Sequence, residues 1–331
     1  MAGRRQKKSG RRSYAWRYRG RIVACVFVEV IIICALVIMI GWNKGVKEWF
    51  EQFEQPVLKE VDISGINSPN AILMQARGGK ILGEINGEAQ IYPASMTKIM
   101  TVILGIENFD DLDEKITLTN EMFTGLYEQD ATQAGFQPGE EVRVIDLLYG
   151  AMLPSGAECC IALADTISGS EADFAELMNK KARKLGMENT HFCDSTGLHN
   201  PDHYSTVKDI AVLMKYCIKN DTFREIVETS RHSTGVTNIH PDGITYYSTM
   251  FKNLSDPTVT GGKILGGKTG YTSEAGHCLV SFAEIEGREY IFVSAGASGA
   301  DGNTIPHIQD AVTVYNRVGA EIEEKMNNNN K

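Results

Sequence analysis

The chain has 331 residues, with 33 Lys and Arg against 42 Asp and Glu, a net charge of −9, and it is 43% hydrophobic and 23% charged. That composition excludes intrinsic disorder and collagen-like repetition. The charge is split: residues 1–21 carry nine Lys or Arg and no acid, whereas from Trp42 onward 24 basic side chains stand against 41 acidic ones, net −17, the wrong sign for a nucleic-acid partner.

Residues 22–40 are a run of nineteen in which Glu29 is the one charge, long enough as a helix to cross a hydrocarbon core of about 30 Å. The run is long for a cleaved signal peptide, and Ile38-Met39-Ile40-Gly41-Trp42 offers no small-x-small cleavage site. The basic flank sets the N-terminus on the cytoplasmic side. A cytoplasmic tail (1–21), a single transmembrane helix (22–41) and an extracytoplasmic remainder are therefore expected. A charged side chain at mid-membrane costs about 2.5–3.5 kcal/mol, so Glu29 reads as a protonated or snorkelling carboxyl, the other reading being a contact to a second membrane helix.

Residues 42–68 are polar and mixed and read as a stalk, of at most about 90 Å if fully extended. Residues 69–320 suit one large domain or two small ones, and 321–331, with four consecutive Asn, read as a disordered tail. Cys25 and Cys34 lie in the apolar run. Cys159, Cys160, Cys193, Cys217 and Cys278 lie beyond it, an odd number that leaves at least one thiol without an intrachain partner. The vicinal Cys159-Cys160 reads as a buried pair on a helix.

Within the domain, residues 71–76 and 80–84 flank Arg77-Gly78-Gly79 and predict a hairpin; residues 276–284 and 288–295 flank Ile285-Glu286-Gly287 and predict another. Helical periodicity covers 95–107, 144–153, 157–168, 171–185 and 206–219, the last opening on a capping-box-like Thr206-x-x-Asp209. Strands at both ends with helices between predict an α+β fold whose terminal strands share one antiparallel sheet.

Three short segments carry candidate chemistry. Ser95 opens an apolar helical run and Lys98 follows one turn later on the same face, bringing an amine to a hydroxyl that a desolvated lysine could deprotonate. Ser155 falls on a loop between two helices. Lys268-Thr269-Gly270 precedes the terminal hairpin and offers a cation, a hydroxyl and a backbone that permits close approach. Each alone also reads as ordinary structure: a helix cap with a surface lysine, a capping serine, a turn.

Taken in order, the three are similar to the Ser-x-x-Lys, Ser-x-Asn and Lys-Thr-Gly set of penicillin-binding proteins and serine β-lactamases. More narrowly, residues from about 71 to 318 resemble the D-alanyl-D-alanine carboxypeptidases. The likeness includes Tyr92-Pro93-Ala94-Ser95-Met96-Thr97-Lys98-Ile99-Met100-Thr101, Leu185-Gly186-Met187, Gly197-Leu198, His203-Tyr204-Ser205-Thr206 and Lys268-Thr269-Gly270-Tyr271-Thr272. Two positions depart from the pattern: Ala157 replaces the usual Asn, removing a carboxamide that would bind Lys98 or a substrate carbonyl, and Thr196 stands where a His commonly precedes the Gly-Leu pair.

The resemblance implies a penicillin-binding, transpeptidase-like fold and a membrane-anchored enzyme that trims the terminal D-Ala from peptidoglycan stem peptides. Ser95 would be the acyl-ester nucleophile, Lys98 its general base and Ser155 a proton relay. Lys268, Thr269, Gly270 and Tyr271 would bind substrate, with Lys268 and Thr269 on its terminal carboxylate and the oxyanion between the amides of Ser95 and Tyr271. β-Lactams would acylate Ser95, and no cofactor or metal is implied. A β-lactamase, a DD-endopeptidase and a wall-binding protein weakened by Ala157 stay open beside it. A zinc peptidase would have only His199-x-x-x-His203 at tight spacing, and Pro201 disfavours the helix that would align that pair.

Overall fold

The computed structural model describes residues 30–33, 57–254, 256–299 and 305–329. The chain divides into two units, 1–56 and 57–331. Of the first, residues 30–33 are helical; the rest of the expected membrane span, the basic tail and most of the stalk lie outside the described residues. Among the described residues no helix is long and apolar enough to cross a membrane.

In the second unit, strands β1 (Asn70–Gln75) and β2 (Ile81–Ile85) open the chain, and α1 (Lys98–Asn108) follows a one-turn 3₁₀ segment at Ala94–Thr97. A small ribbon pairs β3 (Lys115–Thr117) with β4 (Glu141–Arg143). Helices α2 (Val144–Met152), α3 (Ala157–Ser168), α4 (Glu171–Leu185), α5 (Val207–Cys217) and α6 (Asp221–Glu228) come next, then a ribbon of β5 (Arg231–Ser233) and β6 (Thr245–Tyr247) and the short α7 (Thr249–Asn253). Strands β7 (Thr258–Val259), β8 (Gly262–Thr272), β9 (Gly276–Ile285) and β10 (Arg288–Ala297) lead to the final helix α8 (Pro306–Asn329).

The six-stranded sheet runs β2-β1-β10-β9-β8-β7, every neighbour antiparallel, so the first strand of the domain lies against the last. The expected α+β arrangement with terminal strands in one sheet is what the chain adopts. Alternation along the strands serves two cores. Ile72, Cys278, Val280, Phe282, Ile291 and Val293 face the helices between α1 and α6. Ala71, Leu73, Leu279, Ala283, Ile285 and Phe292 face α8. At about 1.5–3 kcal/mol for each fully buried large side chain, both faces resist a one-residue slip of register.

Capping sets the helix limits. The side chains of Ser170 and Thr206 accept from the backbone N–H groups of Asp173 and Asp209, and Gly169 and Gly186 end α3 and α4 in the left-handed region. All five described cysteines are free, and Cys159 and Cys160 are buried on α3.

Two boundaries differ from the sequence reading. The stalk expected to reach residue 68 is folded from residue 57: Leu58, Val61 and Ile63 are buried in the second core, the Val61 N–H bonds to the Leu82 carbonyl, and Asp310 of α8 accepts from the amides of Asn67 and Ser68. The tail expected to be disordered from 321 is helical through Asn329. Ile322 packs into the same core, and Glu321 pairs with Lys325 one turn on.

Candidate active site

Ser95 lies in the 3₁₀ turn ahead of α1, behind Ala94, whose φ of +47° is unusual for a residue with a side chain. Three residues later on the same face, the Lys98 amine lies 3.0 Å from Ser95 Oγ and donates to the Thr196 carbonyl at 2.6 Å. Lys98 is buried, and the loss of water pushes its pKa down, against the charges of Asp194 and Glu158 that pull it up. The pair that the Ser-x-x-Lys spacing predicts is therefore formed, with an amine shifted toward its basic form.

Ser155 sits in the turn between α2 and α3 with φ +73°, a conformation that costs a residue with a side chain about 1–3 kcal/mol. The turn is braced on both sides: the Gly156 N–H bonds to the Gly150 carbonyl and the Ala157 N–H to the Thr132 carbonyl, both at 2.8 Å. Ala157 is buried at the start of α3 and brings no polar group to the site. The next residue, Glu158, points inward: it is fully buried, and one carboxylate oxygen accepts from the amides of Ala134 and Gly135, which ties the loop beside the cavity to α3.

The Ser155 hydroxyl accepts from the Lys268 amine at 3.0 Å. Lys268 also donates to the Thr269 carbonyl at 2.9 Å and is buried; burial, then the charge of Lys98, drive its pKa well down. Thus the lysine expected to meet a carboxylate directly lies beneath the cavity surface. Thr269 faces the cavity, its hydroxyl 2.7 Å from that of Thr249, a partner with no sequence signal because α7 is too short for periodicity.

A cavity of about 820 Å³ is lined by Ser95, Ser155, Thr269, Gly270 and Tyr271, with Thr132, His199, His277 and His307 around its sides. Gly270 is required by contact: a Cβ there would lie 3.0 Å from the Ser95 nitrogen and 3.1 Å from the Pro93 carbonyl oxygen. β8 therefore lies directly against the turn that carries Ser95. His203 is buried and bonded to Asp194 and Thr97, apart from the cavity-lining His199, and among the described residues no group of three His, Cys, Asp or Glu is placed to hold a metal.

A family model described as D-alanyl-D-alanine carboxypeptidase matches residues 57–299. The D-alanyl-D-alanine carboxypeptidase DacF of Bacillus subtilis (strain 168) is 35% identical over 233 residues, covering 69% of this chain and 57% of that protein. The D-alanyl-D-alanine carboxypeptidase of Streptomyces sp. (strain K15) is 37% identical over 205 residues, 60% of this chain and 69% of that one. The solved Streptomyces K15 DD-transpeptidase has the same fold, with a TM-score of 0.68 at 27% identity over 81% of this chain and 99% of that one. The chain spans 57% of DacF and 58% of DacC of Escherichia coli (strain K12), less than two thirds of either. Because the matched region runs from the segment entering the sheet to β10 and so takes in both lysine–serine pairs, this chain belongs to the D-alanyl-D-alanine carboxypeptidase family.

Proposed function

We propose that the chain is a serine D-alanyl-D-alanine carboxypeptidase, anchored by one membrane helix and acting on peptidoglycan stem peptides outside the cell membrane. The observation that carries the reading is the pairing of two buried lysines with two serines, each at 3.0 Å, at one cavity that also presents Thr269 and Tyr271. The anchor rests on the nineteen-residue apolar run and its basic flank.

In this reading Ser95 Oγ bonds to the carbonyl carbon of the penultimate D-Ala while Lys98 takes its proton. The C–N bond then breaks, and the departing amine of the terminal D-Ala receives a proton by way of Ser155. Water cleaves the resulting ester, which restores Ser95 and releases the shortened peptide. The oxyanion lies between the Ser95 and Tyr271 amides, where one preorganised donor is worth about 3–4 kcal/mol. The terminal carboxylate meets Thr269 at the surface, and its charge favours the protonated form of Lys268 beneath. Gly270 gives the backbone its approach.

Penicillin should acylate the same serine. Intact mass after incubation is expected to rise by one penicillin on the wild type and to stay unchanged for Ser95→Ala. An unmodified wild type, or an adduct on the variant, overturns the assignment. Product analysis on a pentapeptide ending in D-Ala-D-Ala is expected to show free D-Ala and a tetrapeptide; opened penicillin in place of these marks a β-lactamase, and cleavage confined to cross-links an endopeptidase.

A further inference from the structure

Lys98 has two described hydrogen-bond contacts, and only one of them is the serine it serves. A neutral amine has two N–H bonds and one lone pair. The Thr196 carbonyl, at 2.6 Å, takes one N–H and so limits the directions in which the lone pair can point. At position 157, where the family pattern has a carboxamide, Ala157 offers nothing to the amine. The orientation of the base therefore depends on a backbone oxygen 98 residues away.

That oxygen is held in place by its neighbours. Asp194 Oδ1 accepts from the Thr196 N–H at 2.8 Å, the Thr196 hydroxyl at 2.7 Å and the Gly197 N–H at 2.6 Å. Asp194 Oδ2 lies 3.0 Å from His203 Nδ1, and His203 Nε2 lies 2.9 Å from the hydroxyl of Thr97, the residue before Lys98. Thr101, one turn along α1, donates to the Ser195 carbonyl at 2.6 Å. Gly197 lies so close behind the nucleophile turn that a Cβ there would overlap the Ala94 carbonyl oxygen at 1.9 Å. The network closes a ring from Thr97 through His203 and Asp194 to the Thr196 carbonyl and back to α1 at Lys98.

We propose that Asp194 and His203 are positioning residues for Lys98, acting through the Thr196 carbonyl and taking over the orienting part that a carboxamide at position 157 would otherwise play. The inference rests on the reading of Lys98 as the base that activates Ser95.

Electrostatics adds a second consequence. The groups that bear on Lys98 are Cys160, Asp194, Glu158 and Cys159, with Lys268 on the cavity side. Burial pushes the pKa values of Glu158, Cys159 and Cys160 upward. Burial also acts to raise that of Asp194, but the bonds from His203, Thr196 and Gly197 outweigh it and hold the carboxyl at about 2. Asp194 thus keeps its negative charge well below neutral pH, and that charge supports protonation of Lys98.

The test is rapid-mixing acylation by penicillin, which separates binding from the chemical step. Asp194→Ala is expected to slow acylation about 100-fold, the loss typical of a reacting group displaced by an ångström, with penicillin binding little changed. Asp194→Asn keeps an acceptor for the Thr196 and Gly197 amides and is expected to recover most of that rate. It removes the charge, so the acidic limb of the pH–rate profile moves to lower pH. A purely structural role would leave that limb in place. Unchanged acylation in Asp194→Ala, or an unmoved limb in Asp194→Asn, overturns the proposal; if Asp194→Ala fails to fold, the limb of Asp194→Asn decides alone. A wild type that penicillin does not acylate overturns instead the reading of Ser95 and Lys98.

Discussion

His307 is 3% exposed at the start of α8, its ring stacked on that of His277 at 5.0 Å and 8°, and its Nδ1 has no hydrogen-bond partner among the described residues. Burial, then the neighbouring His277, depress its pKa to about 4. The unfolded chain therefore takes up a proton near pH 6.5 that the folded protein refuses until about pH 4. The stability this neutral ring permits is complete above pH 6.5 and is lost as the pH falls to about 4, a loss of about 3 kcal/mol. His307→Phe keeps a ring on His277 and has nothing to titrate. Urea denaturation at a series of pH values is expected to give the variant a flatter acid side over that window; equal slopes in the two proteins would contradict the account.

At the scale of elements, the approach of β8 to the turn that carries Ser95 sets the width of the site. The atoms nearest an added Cβ on Gly270 include the Ser95 nitrogen and the Pro93 carbonyl oxygen, backbone atoms that cannot rotate away. Gly270→Ala is therefore expected to move β8 from the turn by a few tenths of an ångström, displacing the Ser95 and Tyr271 amides from each other. Penicillin acylation is expected to fall about tenfold to 100-fold, with cooperative unfolding retained; rapid-mixing kinetics and thermal melting check the two halves.

Elements with caps or long periodicity were legible in the sequence. The span 171–185 matches α4 at both ends because Ser170 opens it and Gly186 closes it. The terminal hairpin was visible for the same kind of reason, its turn residues standing between two apolar runs. The ribbons β3–β4 and β5–β6 were not, because three-residue strands hold too few side chains to define a period. Nor was β8, where Gly262, Gly266, Gly267 and Gly270 interrupt the pattern and are there because other backbone lies within 3.0 Å of where their Cβ would be. In the site, Ser95 and Lys98 could be paired by helical spacing. The bond from Lys268 to Ser155 spans 113 residues, and no local rule anticipates it.

On the scale of the whole molecule, the side of the sheet away from the site depends on α8. Ile322, Tyr315, Val318 and Val314 pack with Leu58, Val61 and Ile63, so both edges of the folded unit share one core. Ile322 is 1% exposed, and its replacement by Ala is expected to cost about 2–5 kcal/mol, the range for large-to-small changes in a core. Measured by urea denaturation, a cost within experimental error would mean that residues beyond 320 do not belong to the cooperative unit.

The placement of β1 beside β10 also governs when the sheet can close. Asn70 pairs with Ala295, so the sheet has a high contact order and closes only after more than two hundred intervening residues have been made. The segments that carry Ser95, Lys98 and Ser155 all precede β8 in the chain and are made before it. A partly synthesised chain thus holds Ser95 without Lys268, Thr269 or the Tyr271 amide. On the function proposed above, reactivity toward peptides arises only once β8 is in place, and a copy truncated or stalled before it carries Ser95 and Lys98 without their partners from that strand.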